Sequence, residues 1–163
     1  MIFRDDRDRT RFFELLTGVV TRLRWECLAY CILDTHFHLL VTTPDPNLDR
    51  GLKHLNGVYA QGFNHRHGRI GHLVQDRYHA VIVEREPHLL ESLRYIALNP
   101  VRAGLCRRPE LWPWSSYPTV LGLAEVPFVA TKAVLRLFGP TPSSARRGLR
   151  EFVDEKLHFR DGV

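Results

Sequence analysis

The sequence predicts an α+β fold, and three observations predict it. A helical stripe opens the chain, two β-rich runs two residues apart follow it, and helical and strand patterns then alternate once more before a proline-broken C-terminal part. The sheet expected from this order is antiparallel, in a domain over residues 1–105, with a helical C-terminal extension over 106–163.

The elements are justified in turn. Phe12, Leu15, Leu16, Val19, Val20 and Leu23 recur at steps of three and four, which marks an amphipathic helix over residues 8–24. Residues 25–33 and 36–43 are β-rich, and Asp34-Thr35 between them reads as the turn of a hairpin. Pro44 and Pro46 end the second run. A long helix is expected over 47–67, with Leu48, Leu52, Leu55, Tyr59 and Phe63 on one face, Asn47 as its cap and Gly68 as its stop. The polar stretch 68–76 reads as a loop, and residues 78–84 as a third strand in which Val81 and Val83 share a face. Pro87 stands at the start of a helix over 88–98, which Asn99-Pro100 is expected to stop. Further on, Pro109, Pro113 and Pro118 interrupt an aromatic stretch, and short helices are expected over 131–138 and 142–157.

The bulk properties restrict the function classes. A chain of 163 residues, 44% hydrophobic and 25% charged, suits one soluble domain that can bury a core. No apolar run is long enough to span a bilayer, and charges at Arg4, Asp5, Asp6 and Arg7 stand where a signal peptide would be apolar, so a cytoplasmic location is expected. Three cysteines without CxxC spacing point to reduced thiols. The net charge of +5 favours a polyanionic partner.

The chemistry-bearing residues begin with His36 and His38. Side chains two apart in a strand share a face, so two imidazoles would project together as ligands for a divalent metal. Chance also produces such pairs among nine histidines. A third ligand is available in Asn99, four residues after Tyr95 and so on the same face of one helix, or Asn99 is a helix cap. Of five tyrosines, Tyr59 falls in an apolar stripe, Tyr30 and Tyr78 lie in strands without a polar partner at useful spacing, and Tyr117 lies among prolines. Tyr95 is left as nucleophile. Two imidazole nitrogens and one amide oxygen suit Mg²⁺ or Mn²⁺ with open positions for water and a phosphate oxygen, and a phosphotyrosine is the natural intermediate.

These residues carry a family likeness. The run from Tyr30 to Val41, containing His36-Phe-His38, resembles the HUH motif strand, and the run from Tyr95 to Leu105, Tyr-Ile-Ala-Leu-Asn-Pro-Val-Arg-Ala-Gly-Leu, resembles the tyrosine helix, of REP-associated tyrosine transposases. Gly71 to Tyr78 and Trp112 to Tyr117 also resemble stretches of that family, so the likeness reaches to about Gly122.

The resemblance implies a ferredoxin-like sheet with helices on one face, and a single-tyrosine endonuclease and strand transferase acting on hairpin-bearing single-stranded DNA. It implies His36, His38 and Asn99 as ligands of Mg²⁺ or Mn²⁺, and Tyr95 as the nucleophile that bonds to the 5′ phosphate. Arg102, Arg107 and Arg108 are expected at DNA phosphates, and Trp112, Trp114 and Tyr117 either stack on bases or pack the extension. His65, Arg66, His67 and Arg69 complement a helix dipole or grip phosphates. Thr35 and Val74 depart from the family's usual Asn and Trp. The first strand of the sheet is missing ahead of the first helix, which leaves an upstream start or a degenerate copy as expectations. A DNA-binding remnant without cleavage is the alternative function, and an unrelated metallohydrolase a third. Monomer and homodimer are both open.

Overall fold

The computed structural model describes residues 1–73 and 78–157. It forms two compact units, the first made of Met1–Glu26, Asp34–His36 and Thr42–Ile82, and the second of Cys27–Leu33, Phe37–Val41 and the chain from Val83 onward.

In the first unit two helices, α1 (Asp6–Leu23) and α2 (Leu48–His67), pack against each other. The Asp5 carboxylate caps α1 by accepting from the Asp8 N–H at 3.0 Å, which starts the helix two residues before the apolar stripe alone predicts. The rings of Phe3, Phe12 and Tyr59 meet at centroid distances of 5.1 to 5.2 Å and form the centre of this unit's core. The Tyr59 hydroxyl donates to the Ile2 carbonyl at 2.6 Å, which satisfies the polar end of a buried ring.

Two expectations about α2 meet different fates. Gly68 ends it in the left-handed conformation, φ 60°, with its N–H on the Asn64 carbonyl. Asn47 stands at the N-cap, as expected, but its side chain makes no capping bond. The Asn47 side-chain oxygen instead accepts from the Trp25 indole N–H at 2.6 Å, because Trp25 is buried and its donor needs a partner.

The two ends of the helix pair are tied by charge. Asp8, 3% exposed, accepts from the Arg4 N–H at 2.9 Å and from His67 Nε2 at 3.0 Å, and it pairs with Arg66. Arg66 also reaches Asp5 at 2.6 Å. Burial alone would raise the Asp8 carboxyl, but the Arg4 amide, His67 and Arg66 together hold it below the usual carboxylate range. Arg66 draws Asp5 down likewise.

A two-stranded antiparallel sheet, β1 (Glu26–Ile32) and β2 (Phe37–Thr42), forms as the hairpin pattern predicts, and all of it but Glu26 and Thr42 belongs to the second unit. The helix α3 (Glu86–Arg102) follows, then a 3-10 turn at Pro109–Leu111 and three short helices, α4 (Tyr117–Val120), α5 (Thr131–Arg136) and α6 (Pro142–Asp154). The chain is thus α+β, consistent with a partial ferredoxin-like sheet. Leu28 and Ala29 of β1 meet Leu93 and Ala97 of α3, Val134 of α5 and Leu149 of α6 around one apolar interior.

The C-terminal part also bonds to the backbone of β1. Ile32 N–H donates to the Trp114 carbonyl at 2.8 Å, Ser116 N–H to the Tyr30 carbonyl at 3.0 Å, and Ala130 N–H to the Cys27 carbonyl at 2.8 Å. The buried Ile32 N–H and the Tyr30 and Cys27 carbonyls are thereby satisfied. Arg94 fastens α6 to α3, its guanidinium 3.5 Å above the Phe152 ring and 3.2 Å from Glu155.

Three expectations about regular structure are corrected. Residues 78–84 form no strand. Val81 and Ile82 would point to opposite faces and are 62% and 81% exposed, so neither face is covered and nothing favours pairing. The helix ending expected at Asn99-Pro100 is also absent, since α3 runs through to Arg102. Pro100 costs one N–H, but it is fully buried, and later donors restore the end: Ala103 N–H reaches the Asn99 carbonyl and Leu105 N–H the Pro100 carbonyl, both at 2.9 Å. Third, α4 and the 3-10 turn form inside the stretch that its prolines mark as irregular, each with proline in its first two positions, where no N–H is needed.

Residues 74–77 lie outside the described residues, and with them Val74 and the middle of the Gly71–Tyr78 stretch. No strand precedes α1 among the described residues. No helix among them is long and apolar enough to cross a membrane.

Candidate active site

Helix α3 turns its apolar positions inward. Leu93 to Pro100 are buried in sequence with the single exception of Tyr95, which is 47% exposed. A tyrosine left in solvent within such a run is not needed by the core, and its phenol oxygen is open to a substrate.

Two side chains hold that ring. His38, half-buried in β2, meets it edge-on, with centroids 5.3 Å apart and planes at 85°. Arg102, two helical turns further along α3, places its guanidinium carbon 5.1 Å from the ring centroid. Asn99, between them in sequence, is buried, and its side-chain nitrogen donates to the Tyr95 carbonyl at 3.0 Å. Asn99 stands in the last turn of α3, but it is buried and its amide folds back on the backbone one turn earlier instead of facing solvent.

His36 is not a residue of β2. It precedes the strand and belongs to the first unit, exposed, with its Nδ1 2.9 Å from the Thr35 hydroxyl. The cause lies next to it. Asp34 accepts from the Ile2 and Phe3 N–H groups at 3.0 Å each and pairs with Arg9, so the turn of the hairpin is anchored to the N-terminal residues and the strand starts only at Phe37.

The remaining candidates divide. Arg107 and Arg108 are exposed, and Arg108 bonds Glu110 at 2.8 Å. Trp112 and Trp114 are half-buried, and the Trp112 indole N–H donates to the Ile32 carbonyl at 3.0 Å. Tyr117 is 4% exposed, a packing position that offers no ring face to a base. Burial pushes its phenol well above the ordinary tyrosine range, as it does for Tyr30. The thiols of Cys27 and Cys31 are buried and pushed up to about 12, so neither is a nucleophile at neutral pH.

The contact of Arg102 with Tyr95 escaped the sequence reading, which placed Arg102 only near the end of the helix. The signal was present in the spacing, since residues seven apart share a helix face. Among the described residues there is no group of three or more His, Cys, Asp and Glu side chains that could hold a metal.

Fold and residues together define a small α+β protein that presents one tyrosine at a helix surface between an imidazole and a guanidinium. The family model for IS200-like transposases matches residues 1–99, and the chain belongs to that family. The match takes in His36, His38 and Tyr95 and ends on Asn99. Membership makes this a transposase-like protein of DNA transposition. No curated protein and no solved structure matches the chain.

Proposed function

We propose that the protein is a single-tyrosine endonuclease and strand transferase of the REP-associated kind, acting on hairpin-bearing single-stranded DNA at the bacterial nucleoid. The catalytic part would lie in residues 1–105 and the DNA-holding extension in 106–163. The observation that carries the reading is Tyr95, exposed on a helix that is otherwise buried around it, in a chain of a transposase family.

The Tyr95 phenol oxygen attacks the scissile phosphorus. A bond forms from that oxygen to phosphorus, the bond from phosphorus to the 3′ oxygen breaks, and the departing oxygen takes up a proton to leave a free 3′ hydroxyl. Attack by another 3′ hydroxyl on the phosphotyrosine rejoins the strand and returns the phenol. His38 and Arg102 hold the ring in place for both steps.

A divalent metal, Mg²⁺ or Mn²⁺, bound by His36, His38 and Asn99 would polarise the phosphoryl oxygen and offset charge in the transition state. The donor set suits that role. With the Asn99 nitrogen on the Tyr95 carbonyl, its amide oxygen would be the atom offered to the ion, and with the Thr35 hydroxyl at Nδ1, His36 would offer Nε2. Arg107, Arg108, Trp112 and Trp114 are the residues for gripping the strand away from the cut.

The test is incubation with hairpin-bearing single-stranded DNA and Mn²⁺, followed by denaturing electrophoresis. A covalent protein–DNA adduct is expected, and it is expected to vanish in Tyr95→Phe. An adduct undiminished in that variant overturns the assignment of the nucleophile, and binding without any adduct turns the reading to a DNA-binding protein.

A further inference from the structure

The arginines of the second unit are not equivalent. Arg94 is buried and shared between Glu91 and Glu155, and Arg108 is paired with Glu110. Arg102 takes no carboxylate among the described residues. It is exposed, and its guanidinium lies over the ring of Tyr95, 5.1 Å from guanidinium carbon to centroid.

An arginine that stacks on a ring keeps its N–H edge for an anion, because the flat face makes the first contact and the five in-plane donors make the second. At this ring the anion is fixed by geometry. Whatever the phenol oxygen attacks must come within bonding reach of the ring that Arg102 covers, so a phosphate there lies within reach of the guanidinium edge as well.

We propose that Arg102 is a catalytic residue of the chemical step: with its guanidinium over the Tyr95 ring, it takes a non-bridging oxygen of the scissile phosphate and aligns phosphorus with the phenol oxygen. This rests on the strand-cleavage reading given above. It separates Arg102 from the arginines that grip the strand elsewhere, since its loss is felt in the rate of cleavage at saturating DNA and not in the DNA concentration needed for saturation.

The experiment is single-turnover adduct formation by the full chain with hairpin-bearing single-stranded DNA and Mn²⁺, over a range of DNA concentrations, for wild type, Arg102→Gln and Arg102→Lys. The maximal rate is expected to fall about a hundredfold in Arg102→Gln, the size of effect seen when one aligned donor is removed from a transition state. The half-saturating DNA concentration is expected to move by no more than about twofold, and Arg102→Lys to recover part of the rate. Nitration of Tyr95 by tetranitromethane, without DNA, is expected to be faster in Arg102→Gln because the ring face is uncovered, while circular dichroism stays unchanged.

A rise in half-saturating concentration at unchanged maximal rate would overturn the proposal, as would equal rates in wild type and Arg102→Gln. Absence of adduct in the wild type overturns the cleavage reading and this role with it. Failure of the inference alone is thereby distinct from failure of the function on which it stands.

Discussion

The side-chain nitrogen of Asn99 donates to the backbone carbonyl of Tyr95 at 3.0 Å, so the amide one turn beyond the nucleophile is oriented by the nucleophile's own peptide group. Asn99→Ala removes that bond and the proposed oxygen ligand together. A stability loss of about 1 kcal/mol is expected in urea unfolding. The Mn²⁺ concentration needed for adduct formation is expected to rise by about tenfold or more. A metal titration unchanged in Asn99→Ala would remove Asn99 from the ligand set.

Asp8 gives a prediction in pH. Its carboxyl is held below its ordinary value in the folded state, so it stabilises the fold fully above the unfolded value near 4, and that contribution is lost as pH falls through the lower folded value. Wild-type stability measured by urea unfolding should therefore drop on acidification below about pH 4. Asp8→Asn should lose about 2 kcal/mol at pH 7, since charge-assisted bonds from Arg66 and His67 go with it, and should show a flatter acid limb.

Two glycines of α2 should respond to alanine with opposite signs. At Gly51 an added Cβ would lie 2.3 and 2.4 Å from two carbons of the buried Trp25 indole, which cannot move aside without breaking its bond to Asn47. Gly51→Ala is expected to destabilise by about 1 to 3 kcal/mol. Gly57 has nothing within 4 Å of the added carbon, and Gly57→Ala should stabilise by about 0.5 to 1 kcal/mol through helix propensity. Thermal unfolding of the pair checks both.

Trp112 separates packing from base stacking. Trp112→Phe keeps an aromatic face but loses the N–H on the Ile32 carbonyl, so stability should fall by about 1 kcal/mol while affinity for single-stranded DNA is retained. Trp112→Ala should lose both. Unchanged DNA affinity in Trp112→Ala would leave the indole with a packing role alone.

Elements with a strong local pattern were legible in the sequence. The stripes of α1 and α2, the hairpin and the stop at Gly68 are periodicities and turn chemistry acting over a few residues. What escaped depended on partners distant in sequence. Asn47 reads as a cap until Trp25 claims its oxygen, and residues 78–84 read as a strand until both faces prove uncovered. Pro100 reads as a stop because its lost bond is local, whereas the burial that outweighs it is not. At the candidate site, the placing of Tyr95 and Asn99 one turn apart on α3 follows from the helix period, while the burial all round Tyr95 does not. The displacement of His36 from β2 does not, since it depends on Asp34 being held by Ile2, Phe3 and Arg9.

The backbone bonds from Trp114, Ser116 and Ala130 to β1 set a boundary of their own. The family-model match ends at Asn99, yet the strand ahead of β2 takes backbone hydrogen-bond partners from residues beyond that point. A fragment cut where that match stops would strip β1 of these partners. A stable fragment of this chain is therefore expected to extend past Asn99 and take in Ala130.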